Sequence, residues 1–572
     1  MENAQIADML DEIADLLELK EANEFRIRSY RNASRTVRGL PERLEDLAAD
    51  EEQDLADLPN IGDSTAEKIR EILDKGTCQR LEDLHKEMPS GLPAVMRVEG
   101  VGPKKAIQLH KELDIGSLDD LKKAAEAGDI RQLEGFGEKT EQKILKGLET
   151  LSKTSGRLLF KDAADHFESL RRRLEGMKSL KKWEVAGSFR RTKETIGDLD
   201  VLLIAKDRGE ATGELLEYEE ISETIDKGEE KVTVRLSGGL QVDFRFFEEE
   251  SFGAAMLYFT GSKAHNIALR RIAVARDWKL NEYGIFKGDR RLAGKDEEGV
   301  YKRLNLPWIP PELREDRGEI DAANAGELPT LVAPGDIRGD LQSHTTASDG
   351  ENSIGEMARA AKDRGYSFFA ITDHSKRVTM AQGLDDDDCR RHAEKIREVN
   401  DDLKGMWLMA GVEVDILKSG KLDLKAETLE QLDWVVASIH YDRNLDRKKM
   451  TERIVKAVES GVVHCLGHPL GRVIAQREPL AFDTAKVFEA CAENDVCIEI
   501  NAQPDRLDLP DTHCREAKAA GVMFTIGTDA HSTAGLDAMR FGVNVARRGW
   551  LEAGDILNTL TATKLRKRIR RK

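Results

Sequence analysis

The run GDLDVLLIA (197–205) places Asp198 and Asp200 two residues apart at the start of an apolar, strand-like stretch. Side chains two apart on a strand share a face, so both carboxylates are expected to point the same way. Two carboxylates on one face suit Mg2+, a hard cation that takes oxygen ligands. A third carboxylate, Asp243, alternates with apolar residues in QVDFRFF (241–247). Eleven residues before Asp198, Gly187 and Ser188 begin GSFRR (187–191), which offers N–H, hydroxyl and, through Arg190 and Arg191, guanidinium donors to a triphosphate. Three carboxylates around two metals make the phosphoryl-transfer arrangement, one metal activating the attacking oxygen and the other holding the phosphates. A lone Gly-Asp-x-Asp is more often a surface turn. The Gly-Ser upstream and Asp243 downstream turn the balance toward chemistry.

A second set of ligand-type residues lies at the ends of short apolar runs in the last 240 or so positions. FFAITDH (368–374), LMAGVEVD (408–415), WVVASIH (434–440), VVHCLGHP (462–469) and MFTIGTDAH (523–531) carry His374, Glu413, His440, His468, Asp529 and His531. His344 and Asp349 follow an earlier short step, in GDLQSHTTASDG (339–350). In a βα barrel the C-terminal strand ends share one face, so residues distant in sequence meet there. Mixed histidine and carboxylate ligands suit Zn2+ or Mn2+. Glu499 and Asn501, in VCIEINA (496–502), are expected not to be ligands. His464 is placed in the core or just behind the ligands, and His392 and His513 on helix or loop surface. Gln342, two before His344, is a neutral and weak ligand where a second histidine would complete a His-x-His pair.

A third pattern recurs three times near the start: LPNIGDSTAEKI (58–69), VEGVGPKKAIQL (98–109) and LEGFGEKTEQKIL (133–145). Each is an apolar residue, a glycine turn and a helix rich in Lys and Glu. The first copy has Asn60-Ile61-Gly62 in place of Gly-x-Gly. Such turns leave backbone N–H groups free for a phosphate oxygen. The pattern resembles the helix-hairpin-helix motif, which holds the DNA backbone without reading sequence. The resemblance implies DNA contacts from Gly62, Gly100, Gly102, Lys104, Gly135, Gly137 and Lys139.

The elements that must position these groups differ along the chain. The first 150 or so residues are amphipathic and helical, divided into 1–90 and a second hairpin region over 91–154. Strand-like stretches follow over 155–250 and 251–315; the family resemblance given below implies that these segments are a lyase-like helical domain, an α/β palm and a nucleotide-selecting thumb. Residues 316–334 are polar, rich in Ala, Gly and Pro, and are expected to be a linker. From 335 to 572, apolar runs alternate with helical stretches about every 30 residues, the sign of a closed or nearly closed parallel βα barrel, like a distorted TIM barrel.

Composition sets outer bounds. The 572 residues carry a net charge of −18 and 34% charged residues, which excludes a uniformly basic nucleic-acid binder and a disordered chain. The basic end KLRKRIRRK (564–572) reads equally as a solvated helix end or a phosphate contact. No apolar run is long enough for a membrane span, and the acidic start lacks the pattern of a signal peptide. The six cysteines show no CxxC spacing and fit buried thiols in a reducing cytoplasm.

The middle segment resembles the family X DNA polymerases, through AGSFRRTKETIGDLDVLLIA (186–205), YFTGSKAHN (258–266) and LNEYGIF (280–286). The resemblance implies that Asp198, Asp200 and Asp243 are catalytic and hold Mg2+ or Mn2+. It implies nucleotide contacts from Arg157, Gly187, Ser188, Arg191 and Gly197. Tyr258 and Phe259 would line the sugar side and Gly261 and Ser262 form the turn. Asn266 would reach the base minor groove, and Arg270 would lie near the template. Lys263 and His265 depart from the better-known animal members. In related enzymes a lysine of the first hairpin attacks an abasic sugar as a Schiff-base nucleophile. Lys68 matches it, with Tyr30 nearby, but Asp63, Ser64 and Arg26 depart from the pattern, and lyase activity stays open.

The last segment resembles the PHP domain, whose pattern has nine ligands for up to three metals. Eight match: His344, Asp349, His374, Glu413, His440, His468, Asp529 and His531; Gln342 stands for the ninth. Glu413 would bridge. A two-metal core is expected, of Mn2+ or Zn2+, with the third metal open. The combination resembles the bacterial and archaeal family X polymerases with a C-terminal PHP domain. It implies short-gap filling in base excision repair, with metal-dependent hydrolysis giving 3′–5′ exonuclease, 3′-end processing and abasic-site endonuclease activity. The implied partners are gapped or nicked DNA and deoxynucleoside triphosphates, for a cytoplasmic, nucleoid-associated monomer without membrane contact. Two other readings remain: a PHP phosphoesterase with an inactive polymerase half, and a non-enzymatic scaffold for gapped DNA. The first is opposed by the survival of all three palm carboxylates. The second predicts decay at both metal sites, of which Gln342 is the one hint.

Overall fold

The computed structural model describes residues 3–569, apart from 21, 40–43, 50–53, 59, 90, 97, 99, 155 and 156. Pro59 and Glu99 of the hairpin pattern and residues 570–572 of the basic end thus lie outside the described residues. Packing divides the chain into two units, one built from Met1–Gly156 and Ala475–Arg477 and the other from Arg157–Ile474 and Glu478–Lys572.

The first unit is helical. Ile6, Leu10, Ile13 and Leu17 recur every three to four residues on the helix Asn3–Leu19 and are wholly or almost wholly buried, so one stripe of that helix forms the core. The three repeated turns precede the helices Asp63–Lys75, Gly102–Leu113 and Glu138–Thr154. Gly100, Gly102 and Gly135 have φ of 93°, 65° and 80°, in the left-handed region that glycine enters without a steric cost. Asn60 has φ 62°. Asparagine is one of the few other residues that tolerates this region, so the first copy makes the same kind of turn with a different residue.

In the second unit the palm is a five-stranded sheet. Its order is Leu180–Val185, Asp198–Ala205, Gln241–Phe246, Lys231–Leu236 and Ile221–Lys227. The strands bearing the carboxylates pair in parallel, with Asp200 directly opposite Asp243. The thumb joins the helices Phe252–Thr260, Lys263–Val274 and Glu297–Arg303 to a small three-stranded sheet.

Residues 316–334, expected to be a linker, include a helix and are held by buried and long-range contacts. Glu319 begins the helix Glu319–Ala325 and is fully buried, where it accepts from the N–H of Asp316 (2.9 Å) and of Arg317 (2.7 Å) and meets His265 Nδ1 at 2.6 Å. Further on, Thr330 N–H donates to Glu552 and Val332 N–H to the Leu551 carbonyl. Polar composition hid the segment because its fixing contacts are ionic and long-range. The term strap describes it better.

The last segment is a seven-stranded all-parallel sheet in sequential order. Its two edge strands meet: Ser343 bridges Ala530, and Thr528 donates to Asp340, so the barrel is nearly closed with seven strands rather than eight. The strands Phe368–Ile371, Trp434–Ser438 and Cys497–Asn501 are buried along their whole length, as both faces of such a sheet require. All six cysteines are buried and free. The C-terminal helix Ala562–Ile569 lays Arg566 over the Trp407 ring and pairs Arg568 with Asp495. Among the described residues no helix is long and apolar enough to cross a membrane.

Candidate metal centres and nucleotide pocket

The palm carboxylates stand where strand pairing puts them. Asp200 is held up at about 6, first by burial and then by its neighbour Asp198. Asp243 is also buried, yet it lies below the usual carboxylate range, because Lys231 Nζ (2.7 Å), Thr233 Oγ1 (2.9 Å) and Arg245 Nη2 (2.8 Å) surround it. Arg245 also reaches within 3.5 Å of Asp200 and covers the Phe259 ring. Lys231 and Arg245 are site residues that sequence reasoning missed; Arg245 lies two after Asp243 and so on the same face. A buried carboxylate whose proton affinity is raised by burial and a like-charged neighbour is one whose charge a divalent ion would stabilise.

Gly187 begins a single helical turn with φ 67°, and a Cβ there would fall 2.8 Å from Asp200 Oδ2. Only glycine lets the backbone approach the carboxylate this closely. Arg157 donates to Thr195 and lies against Gly197, where a Cβ would meet its Nη1 at 2.8 Å. Two triphosphate-type contacts named from sequence are therefore adjacent. Asn266 Nδ2 donates to the Tyr258 carbonyl, Arg270 lies over the Tyr258 ring, and Ser262 caps the next helix by accepting from His265 N–H. Arg191 is already engaged: it donates to Glu315 Oε1 and the Thr260 carbonyl. Arg190 pairs with Glu297 (2.7 Å), which also holds the buried Arg314. Glu297 and Glu315 carry no local signal in the sequence that marks them as partners of these arginines.

In the barrel the eight expected ligands converge. Atoms of His344, Asp349, His374 and His531 lie within one ion's reach, as do those of His374, Glu413 and His440, and those of His344, Glu413 and Asp529. His468 Nε2 sits 3.0 Å from Glu413 Oε1. Glu413, nearly inaccessible, belongs to two of these sets and touches four histidines, a placement from which it could bridge two ions. Both ring nitrogens of His344, Nδ1 of His374 and Oε2 of Glu413 are buried without a well-formed hydrogen bond, though His344 Nε2 lies 2.9 Å from Asp529 and His374 Nδ1 3.1 Å from Glu413. Polar atoms so placed normally find a partner, and a cation held among them would supply it. His344 stacks on His374 and His531, with ring centroids 4.4 and 4.3 Å apart. The neighbouring histidines hold Asp349 and Asp529 well below the carboxylate range, while Asp349 and Asp529 raise His531 to about 9 against the effect of burial. His468 and Asp529 also have positive φ, 25° and 51°, a strain that clusters at functional sites.

Behind the ligands, Asp415 accepts from the His440 N–H and lies 3.2 Å from its Nδ1, fixing the ring. Asp415 is two after Glu413 on one strand, so the period-2 rule could have found it. Asp373 accepts from Thr345 and Ser348 and meets His392 Nε2 at 2.8 Å. His392 is thus buried behind the ligands rather than on the surface, a pairing that its helical context concealed. His464 stacks on Trp434 in the core, as expected. Gln342 is buried, and its amide, oriented to satisfy its neighbours, donates to Glu499. Glu499 also accepts from the His468 N–H (2.7 Å). Gln342 serves the site through Glu499.

In the helical unit, the Cβ positions of Gly62, Gly102, Gly135 and Gly137 have no atom within 4 Å, and Lys104 and Lys139 are exposed, so these turns are open. Gly100 lies against the Lys143 side chain. Lys68 donates to Ser64, to its carbonyl (2.7 Å) and its hydroxyl (2.8 Å).

Helical hairpins, a carboxylate-bearing palm, a thumb and a histidine-lined barrel in one chain define a family X polymerase core with an appended PHP domain. Family comparison agrees: a helix-hairpin-helix domain matches residues 1–78, a SAM-like helix-hairpin-helix tandem 93–150, the DNA polymerase beta thumb 255–315 and the PHP domain 340–503. The DNA polymerase/3′–5′ exonuclease PolX of Bacillus subtilis (strain 168) is 36% identical over 563 residues, 98% of this chain and 97% of that one. A probable phosphatase of Acetivibrio thermocellus is 31% identical over 202 residues, 34% of this chain and 78% of its own. One from Thermoanaerobacter sp. (strain X514) is 28% identical over 232 residues, 38% of this chain and 90% of its own. The chain belongs to the PolX family.

Proposed function

We propose that this chain is a DNA-directed DNA polymerase that fills short gaps during base excision repair. Its barrel trims 3′ ends and cleaves at abasic sites. The observation that carries the reading is that both sets of candidate ligands come together in one chain: Asp200 lies opposite Asp243 beside Gly187, and seven further ligand-type residues gather around Glu413. The full-length relative, named polymerase and exonuclease, supports it.

In the palm, Asp198, Asp200 and Asp243 would hold Mg2+ or Mn2+, which supplies the positive charge for activating the primer oxygen and neutralising the phosphates. Gly187, Ser188, Arg157, Gly197 and Arg191 orient the triphosphate. Tyr258, Phe259, Gly261 and Ser262 shape the sugar pocket, and Asn266 and Arg270 address the base and template. Positioning of the reactants and electrostatic stabilisation together account for nearly all of the acceleration in phosphoryl transfer. In the barrel, His344, Asp349, His374, Glu413, His440, His468, Asp529 and His531 would hold two Mn2+ or Zn2+ ions, and Asp415 and Asp373 keep the ligands in place. Gly62, Gly100, Gly102, Lys104, Gly135, Gly137 and Lys139 bind gapped or nicked DNA through its backbone, and the protein works as a cytoplasmic monomer on the nucleoid. Lys68 is the candidate lyase nucleophile, to be tested by borohydride trapping of an abasic 5′-sugar.

The decisive assay measures shortening of a primer in Mn2+ without nucleotides, using protein with Asp198→Ala and Asp200→Ala. Shortening that disappears on adding His440→Ala assigns the trimming to the barrel. No shortening, in a protein whose unmutated form fills gaps, refutes the nuclease half. An unmutated protein that trims but never extends identifies the phosphoesterase alternative.

A further inference from the structure

The barrel reaches into the polymerase pocket through one side chain. Arg548 ends the barrel helix Met539–Arg548, and its side chain is 4% exposed. Its Nη1 donates to the Arg191 carbonyl (2.7 Å) and to Glu315 Oε1 (3.1 Å), and its Nη2 to Asp511 Oδ2 (2.7 Å). The same Glu315 oxygen accepts from Arg191 Nε at 3.1 Å, and Arg191 Nη1 donates to the Thr260 carbonyl. Thr260 precedes the Gly261-Ser262 turn, and a Cβ on Gly261 would lie 3.1 Å from that guanidinium. The same Asp511 oxygen also accepts from Arg317 Nη1 of the strap (3.0 Å). Lys193 adds a further positive charge near Glu315, Arg548 and Asp511.

We propose that Arg548 is a positioning residue for nucleotide binding: it fixes the main chain of the Gly187–Arg191 loop and shares the charge of Glu315, so that Arg191 is poised for the triphosphate. Two features of the geometry require this. Arg191 and Arg548 compete for one carboxylate oxygen. Removing Arg548 leaves Glu315 to hold Arg191 alone, in a partly dry setting where such charge-assisted bonds are strong. Arg548 also holds the Arg191 carbonyl, and so the backbone of the loop that carries Ser188. None of its contacts is to a barrel ligand, so its effect falls on the polymerase site. The inference rests on the reading of Arg191 as a triphosphate contact.

The test is single-nucleotide gap filling by the full chain in Mg2+, with nucleotide varied. Arg548→Ala is expected to raise KM for the nucleotide at least about fivefold while kcat stays within about twofold. Arg548→Lys, which keeps the charge but loses the forked geometry, is expected to recover part of the loss. Barrel metal content and Mn2+-dependent trimming are expected to match the unmutated protein, which separates positioning from general damage. Should Arg548→Ala fail to fold, Asp511→Asn, which frees one side of Arg548, is expected to raise KM in the same direction by a smaller factor. An unchanged KM in the foldable variant overturns the proposal, as does a fall in kcat and trimming together. Arg191→Ala locates any failure: if it raises KM and Arg548→Ala does not, the relay is wrong; if Arg191→Ala also leaves KM unchanged, the assignment of Arg191 is wrong and the relay falls with it.

Discussion

At the scale of residues, the two centres solve the same problem differently. The barrel surrounds its carboxylates with histidines, whereas the palm leaves Asp200 beside a like charge and raises it to about 6. A carboxyl raised in the folded state binds its proton more tightly there than in the unfolded chain. Stability is therefore lost as pH rises from the ordinary carboxylate value through about 6. Asp200→Asn is expected to stabilise metal-free protein at about pH 8 by up to about 3 kcal/mol, the size of the pKa difference. The gain is expected to shrink at about pH 5 and to vanish or reverse when Mg2+ is added to both proteins; calorimetry with and without the metal checks it. Gln342 gives the second prediction. Gln342→His is expected to add roughly one equivalent of bound metal per chain, seen by elemental analysis of dialysed protein, since imidazole is a far better ligand for zinc-type ions than an amide. An unchanged stoichiometry would mean that Glu499, freed of its amide partner, still shapes the site for two ions.

At the scale of elements, strand periodicity made the most legible parts. Asp198 and Asp200 on one face, Asp243 in register, and the barrel ligands at strand ends all follow from the alternation of strands and the common face of a parallel barrel. Asn60, read in the sequence as standing where the other copies have glycine, makes the left-handed turn. Two things were hidden. His392 lies on a helix with a surface-like sequence, but Asp373 draws it inward. The strap looked like a linker because its anchor, Glu319, is a charged residue buried against a histidine 54 positions earlier. Nothing in a local window reports such a pair. Burial lowers the pKa of His265, so the neutral imidazole donates to Glu319 from Nδ1 and meets Tyr301 Oη at 2.9 Å from Nε2. Glu319→Ala removes the acceptor and leaves a buried donor unpaired. It is expected to cost about 2–3 kcal/mol, measured by urea unfolding of the full chain, while Glu319→Gln retains an acceptor and costs less.

At the scale of the whole molecule, the strap and the barrel helix stitch palm, thumb and barrel into one packed unit. Arg472 reaches Glu194, Arg547 reaches Glu312 and Val332, and Arg548 reaches Arg191. These contacts also set an order of events at birth. Val332 finds its partner at Leu551, Arg338 at Asn558, and Asp340 at Thr528, each pair about 200 residues apart. A ribosome adds roughly 5–20 residues per second, so the strap and the first barrel strand emerge and wait on the order of 10–40 seconds for the segment that completes them. The palm, whose carboxylates lie within 45 positions of each other, has all its strands long before that. A growing chain therefore passes through an interval in which it has a finished palm sheet and an open barrel edge exposed to solvent. That edge is where a nascent chain would need a chaperone.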